Sequence, residues 1–257
     1  MKFLRFATLI PLMLVGVVSA QSDASSQTHG RRLEVMFFGA PTANQTAHDP
    51  VTRFRVLKKA LDVDGIDLTY IQDPAEALNA TTLANYDAVL MYGNWNASGP
   101  MPPDQLQALL HYVDNGGGFL PIHCASACYG GSPEFVKLVG AHFKKHGDGV
   151  FKVTNVNPQH PIMKGYEGFE AWDETRVHDR PADDRVILEK HDQEPWTWVR
   201  QQGKGRVFYT SAGHDHRVWD LPEFQDLLKR AIFWSVGPER AKLFEALKLP
   251  KKPGGNP

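Results

Sequence analysis

The 257-residue chain carries a formal net charge of -1 and is 42% apolar and 22% charged, the composition of an ordinary globular protein with one large domain or two small ones. A near-neutral balance without a basic block argues against a nucleic-acid partner. The only cysteines, Cys124 and Cys128, are too few for a disulfide framework.

The N-terminus reads as a processing signal. Lys2 and Arg5 precede the apolar residues 6–18, and Val18-Ser19-Ala20 offers a small-residue cleavage site before Gln21. The apolar run is short for a membrane span. The mature protein is therefore expected to be exported to the periplasm or beyond, with no stable membrane insertion after processing. On this reading residues 1–20 are the signal peptide and 21–32 a flexible leader. A single domain occupies 33–238, and 239–257 hold one more helix and a disordered tail.

Residues 33–39 (LEVMFFG) read as a buried strand closed by glycine. A polar, turn-rich stretch carrying His48 and Asp49 leads to a helix over 51–61, where Phe54, Leu57 and Leu61 recur at helical spacing. Asp64-Gly65 ends it, and 66–71 is the second strand. A short helix or turn over 78–85 precedes a third strand, 87–92, and the polar loop GNWNASGP. Pro103 and Asp104 open a helix that runs to Asn115 and buries Leu106, Leu109, Leu110 and Val113, with Gly116 as its cap. The stretch GGGFLPIHCASACYGG then gives a short apolar strand with His123 and Cys124 at its exit. This alternation predicts an α/β fold: one doubly wound, mostly parallel sheet with helices on both faces, flavodoxin-like in layout.

The second half continues with a helix over 132–139, a loop AHFKKHGDG, a strand over 150–156 and a loop-rich stretch broken by two prolines. Strands follow at 186–190, 194–199 and 206–211, the last after a Gly203-Lys204-Gly205 turn. Gly213-His214-Asp215-His216 leaves that strand, and helices over 221–236 and 239–247 close the chain.

Strand exits of a parallel sheet converge on one rim, so polar groups far apart in sequence meet there. Six such groups stand out: His48-Asp49, Asn94-Trp95, His123-Cys124, His142 with His146, Trp172-Asp173-Glu174 with His178, and His214-Asp215-His216. Glu174, His123 and His214 are the catalytic candidates; His48, Asn94, Trp95, Trp172, Asp173 and Asp215 are candidates for substrate contact. Each has a plainer alternative. His123 and His214 also suit satisfied structural histidines, and Glu174 an exposed loop acid. His142 and His146 would share a helix face suited to a metal, or lie in a solvated loop. Cys124 is a nucleophile if a strained elbow exposes it, and a small core residue otherwise. Trp95, Trp172, Trp196, Trp198 and Trp219 either line the rim, where ring faces suit sugars, or fill the core.

Three stretches, NGGGFLPIHCAS, HPIMKG…F…WDET from His160, and EPWTWVRQQGKGRVFYTSAGHD from Glu194, resemble the ThuA-like family, named for trehalose utilisation. The likeness spans residues 33–236. It implies a class I glutamine amidotransferase-like fold and a carbohydrate partner: trehalose, another disaccharide or a keto-sugar derivative. The matching polar positions are His123, Glu174 and His214, and such a set implies a divalent metal, zinc by ligand type, with no nucleotide cofactor. The expected chemistry is hydrolysis, elimination or isomerisation of a sugar derivative, with Glu174 as general acid/base. The alternatives are a non-catalytic carbohydrate-binding module and a Cys124-dependent amidotransferase-like hydrolase. The chain departs from the glutaminase pattern, because His214 is followed by Asp215 and His216 rather than the required His-x-Glu. At Arg176 it reads DETR where many relatives read DETY, which bears on substrate preference.

Overall fold

The computed structural model describes residues 32–40, 46–95 and 99–245. The expected signal peptide, nearly all of the leader and the tail after Glu245 lie outside the described residues. The first half of the domain contains β1 (Leu33–Phe38), α1 (Pro50–Asp62), β2 (Ile66–Ile71), α2 (Pro74–Ala77), α3 (Ala80–Leu83), β3 (Ala88–Met91), α4 (Pro103–Asp114), β4 (Gly118–Pro121) and α5 (Pro133–Val139). The second half contains β5 (His142–Asn155), β6 (Glu170–Asp179), β7 (Val186–His191), β8 (Glu194–Gln202), β9 (Gly205–Thr210), α6 (His216–Asp220), α7 (Pro222–Val236) and α8 (Pro238–Glu245). The nine strands form a single sheet in the order β2-β1-β3-β4-β9-β8-β7-β5-β6.

Strands β1, β3 and β4 are short, nearly continuous apolar runs because both their faces are covered, whereas β2, at the sheet edge, leaves Thr69 exposed. Alternate residues point to opposite sides: Val35, Phe37 and Leu90 enter one core with α1 and α7, while Met36, Phe38, Val89 and Met91 enter another with α4 and α5. Helix α1 starts where Asp49 accepts the Val51 amide at 3.0 Å and Pro50 takes the first helical position. This cap also fixes the chain immediately after His48.

The expected mostly parallel sheet is corrected to a mixed one. Pairings β1–β2, β1–β3, β3–β4 and β4–β9 are parallel, whereas β9–β8, β8–β7, β7–β5 and β5–β6 are antiparallel. The reason is connection length. Only Gly203-Lys204 separates β8 from β9, and only Asp192-Gln193 separates β7 from β8, and links this short can join only antiparallel neighbours. Gly203 and Asp192 adopt the positive φ values, 56° and 51°, that such turns require.

The stretches read as loops at 142–149 and 170–174 are strand instead. They pair from His142↔Asp179 to Lys152↔Glu170, with one irregularity between Phe143 and Lys145. Lys144, Lys145, His146 and Asp148 are all exposed, so this arm has none of the apolar alternation that marks a half-buried strand.

Candidate active site at the sheet rim

Strand β4 runs into Ile122 and then turns sharply at His123, whose φ of 47° is left-handed. A bulky residue there is strained by about 1 kcal/mol or more. Its backbone carbonyl is held by three donors: Arg176 Nη1, the Tyr209 hydroxyl and Ser126 Oγ, each at 3.0 Å. The turn aims the imidazole inward. His123 Nδ1 lies 2.6 Å from the Ser211 carbonyl, and since a carbonyl only accepts, Nδ1 carries the proton. Nε2 therefore presents a lone pair. It is fully buried without a hydrogen-bond partner and stands 3.3 Å from Glu174 Oε2.

Glu174 reaches the rim from β6, and His214 from the turn after β9. His214 Nδ1 lies 3.1 Å from Glu174 Oε1 and 3.1 Å from His48 Nε2. His48 itself ends a short 3-10 turn, Thr46–His48. Three imidazoles and one carboxylate, from four separated parts of the chain, thus converge with ligand atoms within 4.8 Å of one another.

Their charges suit a cation. Burial first, then the competing proton site at His214 and the Arg176 cation, lowers His48 to about 4. Burial, then Arg176, pushes His123 well below its ordinary value. Burial also lowers His214, against the pull of Glu174. For Glu174 burial acts upward, but its imidazole neighbours and Arg176 outweigh it and hold the carboxyl well below the usual range. With the imidazoles neutral, Arg176 is the standing cation, its Nε 3.2 Å from Glu174 Oε2. Neutral imidazoles with an ionised carboxylate are the protonation states metal ligation requires. The donor types fit zinc, and the Nδ1–carbonyl bond of His123 fixes the ring as the outer hydrogen bond of a metal-bound histidine does.

His123, Glu174 and His214 stand together, and His48 lies among them. Asp173 is corrected. It is fully buried, and its Oδ2 accepts from the Gly213 and His214 amides at 2.7 and 3.3 Å while Oδ1 accepts from Asp215 and Glu174 at 2.9 Å each. Both oxygens are taken up by backbone amides, and Asp173 latches the β9 exit turn to β6.

Asp215 caps α6 through the Arg217 amide at 2.8 Å and pairs with the Arg217 guanidinium at 2.7 Å, yet it still borders an open groove beside His214. Trp95 stands away from the cluster: its ring meets Phe38 and its Nε1 donates to the Tyr129 hydroxyl at 2.6 Å, half-buried against the second core. Asn94, beside it, takes no part in the cluster's contacts among the described residues.

Of the five tryptophans read as either rim or core, Trp196, Trp198 and Trp219 are core residues, whereas Trp172 is 43% exposed. Trp172, Thr52, Arg53, His214, Asp215 and His216 line the groove, which has a volume of about 400 Å³. His142 and His146 do not form a pair. On a strand, residues four apart are about 13 Å distant, and His142 Nδ1 turns to Asp179 Oδ1 at 3.6 Å while His146 turns to the Glu174 side.

The strained elbow belongs to His123, not Cys124. Both cysteines are free and fully buried, and burial pushes the Cys124 thiol far above its ordinary range, the setting of an inert thiol. Arg176 is legible in the sequence only as a departure from DETY. Its guanidinium also stacks 4.3 Å over the Phe143 ring, so the residue ties β6, β5 and the His123 turn together.

A family model described as trehalose utilisation, ThuA, matches residues 34–235. Among solved structures, a putative ThuA-like protein from Bacteroides uniformis superimposes with a TM-score of 0.65 at 20% identity, covering 80% of this chain and 91% of that one. A second, from Parabacteroides merdae, gives 0.64 at 19% identity over 80% and 90%. A β-galactosidase from Rahnella shares the fold over 31% of its own length, with a TM-score of 0.55, 14% identity and 78% of this chain covered. No curated protein matches the chain. The family match spans most of the chain, and the protein belongs to the ThuA family of trehalose utilisation.

Proposed function

We propose that the protein is an exported enzyme acting on a sugar derivative, such as a disaccharide or keto-sugar, through a divalent cation held by His48, His123, Glu174 and His214. The observation carrying this reading is the His123 Nε2 lone pair, buried and unpartnered, directed at three other donors of the right kind. A buried polar atom without a partner costs about 1–3 kcal/mol, and a cation ligated there removes that cost. When bound, a divalent ion supplies Lewis acidity toward a sugar oxygen.

The residues divide the remaining work. Arg176 keeps Glu174 ionised and props the His123 turn. Glu174, paired with Arg176, serves as ligand and fixed negative charge. Trp172, at the groove beside His214, offers an apolar ring edge to a sugar, with the Arg217 guanidinium 5.7 Å from its ring centre. The same exposed tryptophan favours the second reading, a carbohydrate-binding module without catalysis.

Metal analysis of the purified mature protein, beside a His123→Ala/His214→Ala variant, tests the proposal. Stoichiometric zinc or another divalent ion, with affinity falling at least about 100-fold in the variant, is the expected outcome. A folded wild type that takes up no metal on loading overturns the cation site and leaves the binding module.

A further inference from the structure

We infer that the rim holds a second divalent-cation site, formed by His146 and Asp148 of β5 with Glu174 as the carboxylate shared between the two. The inference rests on the first site being a cation site. It starts from the register of the β5–β6 arm, where Asp148 lies directly opposite Glu174 and His146 opposite Arg176. His146 and Asp148 are two residues apart on one strand and project to the same side. Like charges placed directly across an antiparallel pair repel and destabilise it. Arg176 offsets that repulsion from the Oε2 side of Glu174, which leaves the Oε1 side, facing His146, as the place for a further positive charge.

The distances identify what fits. His146 Nδ1 is 3.6 Å from Asp148 Oδ1 and 3.7 Å from Glu174 Oε1, too long for hydrogen bonds. A tetrahedral zinc at about 2.0–2.1 Å from each ligand places the ligand atoms about 3.4 Å apart. The three groups surround a gap of that size instead of bonding one another.

Glu174 is placed to serve both sites, because its two oxygens look in different directions. Oε2 faces His123 and Arg176 at 3.3 and 3.2 Å, while Oε1 faces His214 and His146 at 3.1 and 3.7 Å. Oε1 thus lies between His214 of the first site and His146 of the arm, and is the oxygen through which the two sites meet. His146 and Asp148 are about half exposed, which leaves coordination positions open to water or to a ligand oxygen. Two cations sharing one carboxylate engage two neighbouring oxygens at once. The substrate class this selects is a sugar presenting adjacent oxygens, a vicinal diol or an α-hydroxy ketone.

Equilibrium titration of the metal-free full chain with Zn(II), counting bound equivalents by calorimetry and elemental analysis, tests the inference. The expected result is two equivalents per chain in the wild type, the second weaker. A His146→Ala/Asp148→Asn variant, folded by circular dichroism, should bind one. A wild type that binds one equivalent overturns the second site and leaves the first standing. Two equivalents retained by the variant also overturn it. No binding at all sinks the first site together with the second.

Discussion

The parallel strands β1, β3, β4 and β9 are mostly apolar and lie between two cores, whereas much of the β5–β6 arm faces solvent with lysines, a histidine and acids. The candidate site draws on both regions unequally. His48, His123 and His214 all leave the parallel region, at its C-terminal rim, where ligands of such sheets bind. The single carboxylate, Glu174, comes from the arm. The rigid region thus fixes three neutral donors, and the more exposed one brings the charge to them. Asp173 joins the two by gripping the amides of Gly213, His214 and Asp215.

If that junction is what makes the site, Asp173→Ala has the largest effect. It strands the four backbone amides of Glu174, Gly213, His214 and Asp215, each costing about 1–3 kcal/mol where buried, for a total near 4 kcal/mol once relaxation is allowed. Denaturant unfolding measures it, and zinc affinity should fall in parallel. A loss below about 1 kcal/mol would show that the two regions hold together without the latch.

The antiparallel half contains a buried acid of another kind. Burial raises the Glu189 carboxyl to about 7 from an ordinary 4.5, although the Thr197 hydroxyl donates to its Oε2. The folded state thus keeps a proton that the unfolded chain releases near pH 4.5. The stability tied to that proton is complete below pH 4.5 and is lost as pH rises through 7, by about 3 kcal/mol in all. Glu189→Gln should remove most of this slope and be the more stable protein at pH 8, read from thermal unfolding across pH 4.5–8. Parallel slopes in the two proteins would place the titrating group elsewhere.

The smallest effect belongs to the parallel half. Asp49→Ala removes the cap of α1 at a cost of about 1 kcal/mol. Zinc affinity should fall only a few-fold, since His48 is one of four donors; a loss as deep as that of the His123→Ala/His214→Ala variant would make the cap an essential support of the site.

The same contrast explains how much the amino-acid sequence discloses by itself. Strands β1 to β4 and helices α1 and α4 are legible nearly to the residue, because dense apolar runs alternate with amphipathic helices between clear Gly and Pro breaks. The arm is not, because Lys144, Lys145, His146 and Asp148 carry no burial signal, and its strand character comes from pairing with β6. Glu174 stands out only for its acidic, aromatic surroundings. His48 reads as a loop histidine, since nothing near it in sequence reveals that it meets a residue 166 positions away. Arg176 is visible as an odd residue, but its grip on the His123 carbonyl depends on a turn conformation no local pattern announces. Asp173 shows the reverse error: an acid that looks available is fully occupied by backbone.

Strand β9 lies between β4 and β8, which has a consequence for synthesis. While the chain emerges from the ribosome, β1 to β4 can assemble, but the outer edge of β4 stays unpaired until residues 205–210 appear. At about 5–20 residues per second that interval lasts roughly 4–18 seconds. For that time Phe119 and Leu120 sit on an open apolar edge, the kind that recruits chaperones or a neighbouring nascent chain. The same insertion brings His214 to His48 and His123, so no shorter product of translation assembles the cation site. Metal capture is deferred to the end of folding, after the edge has closed.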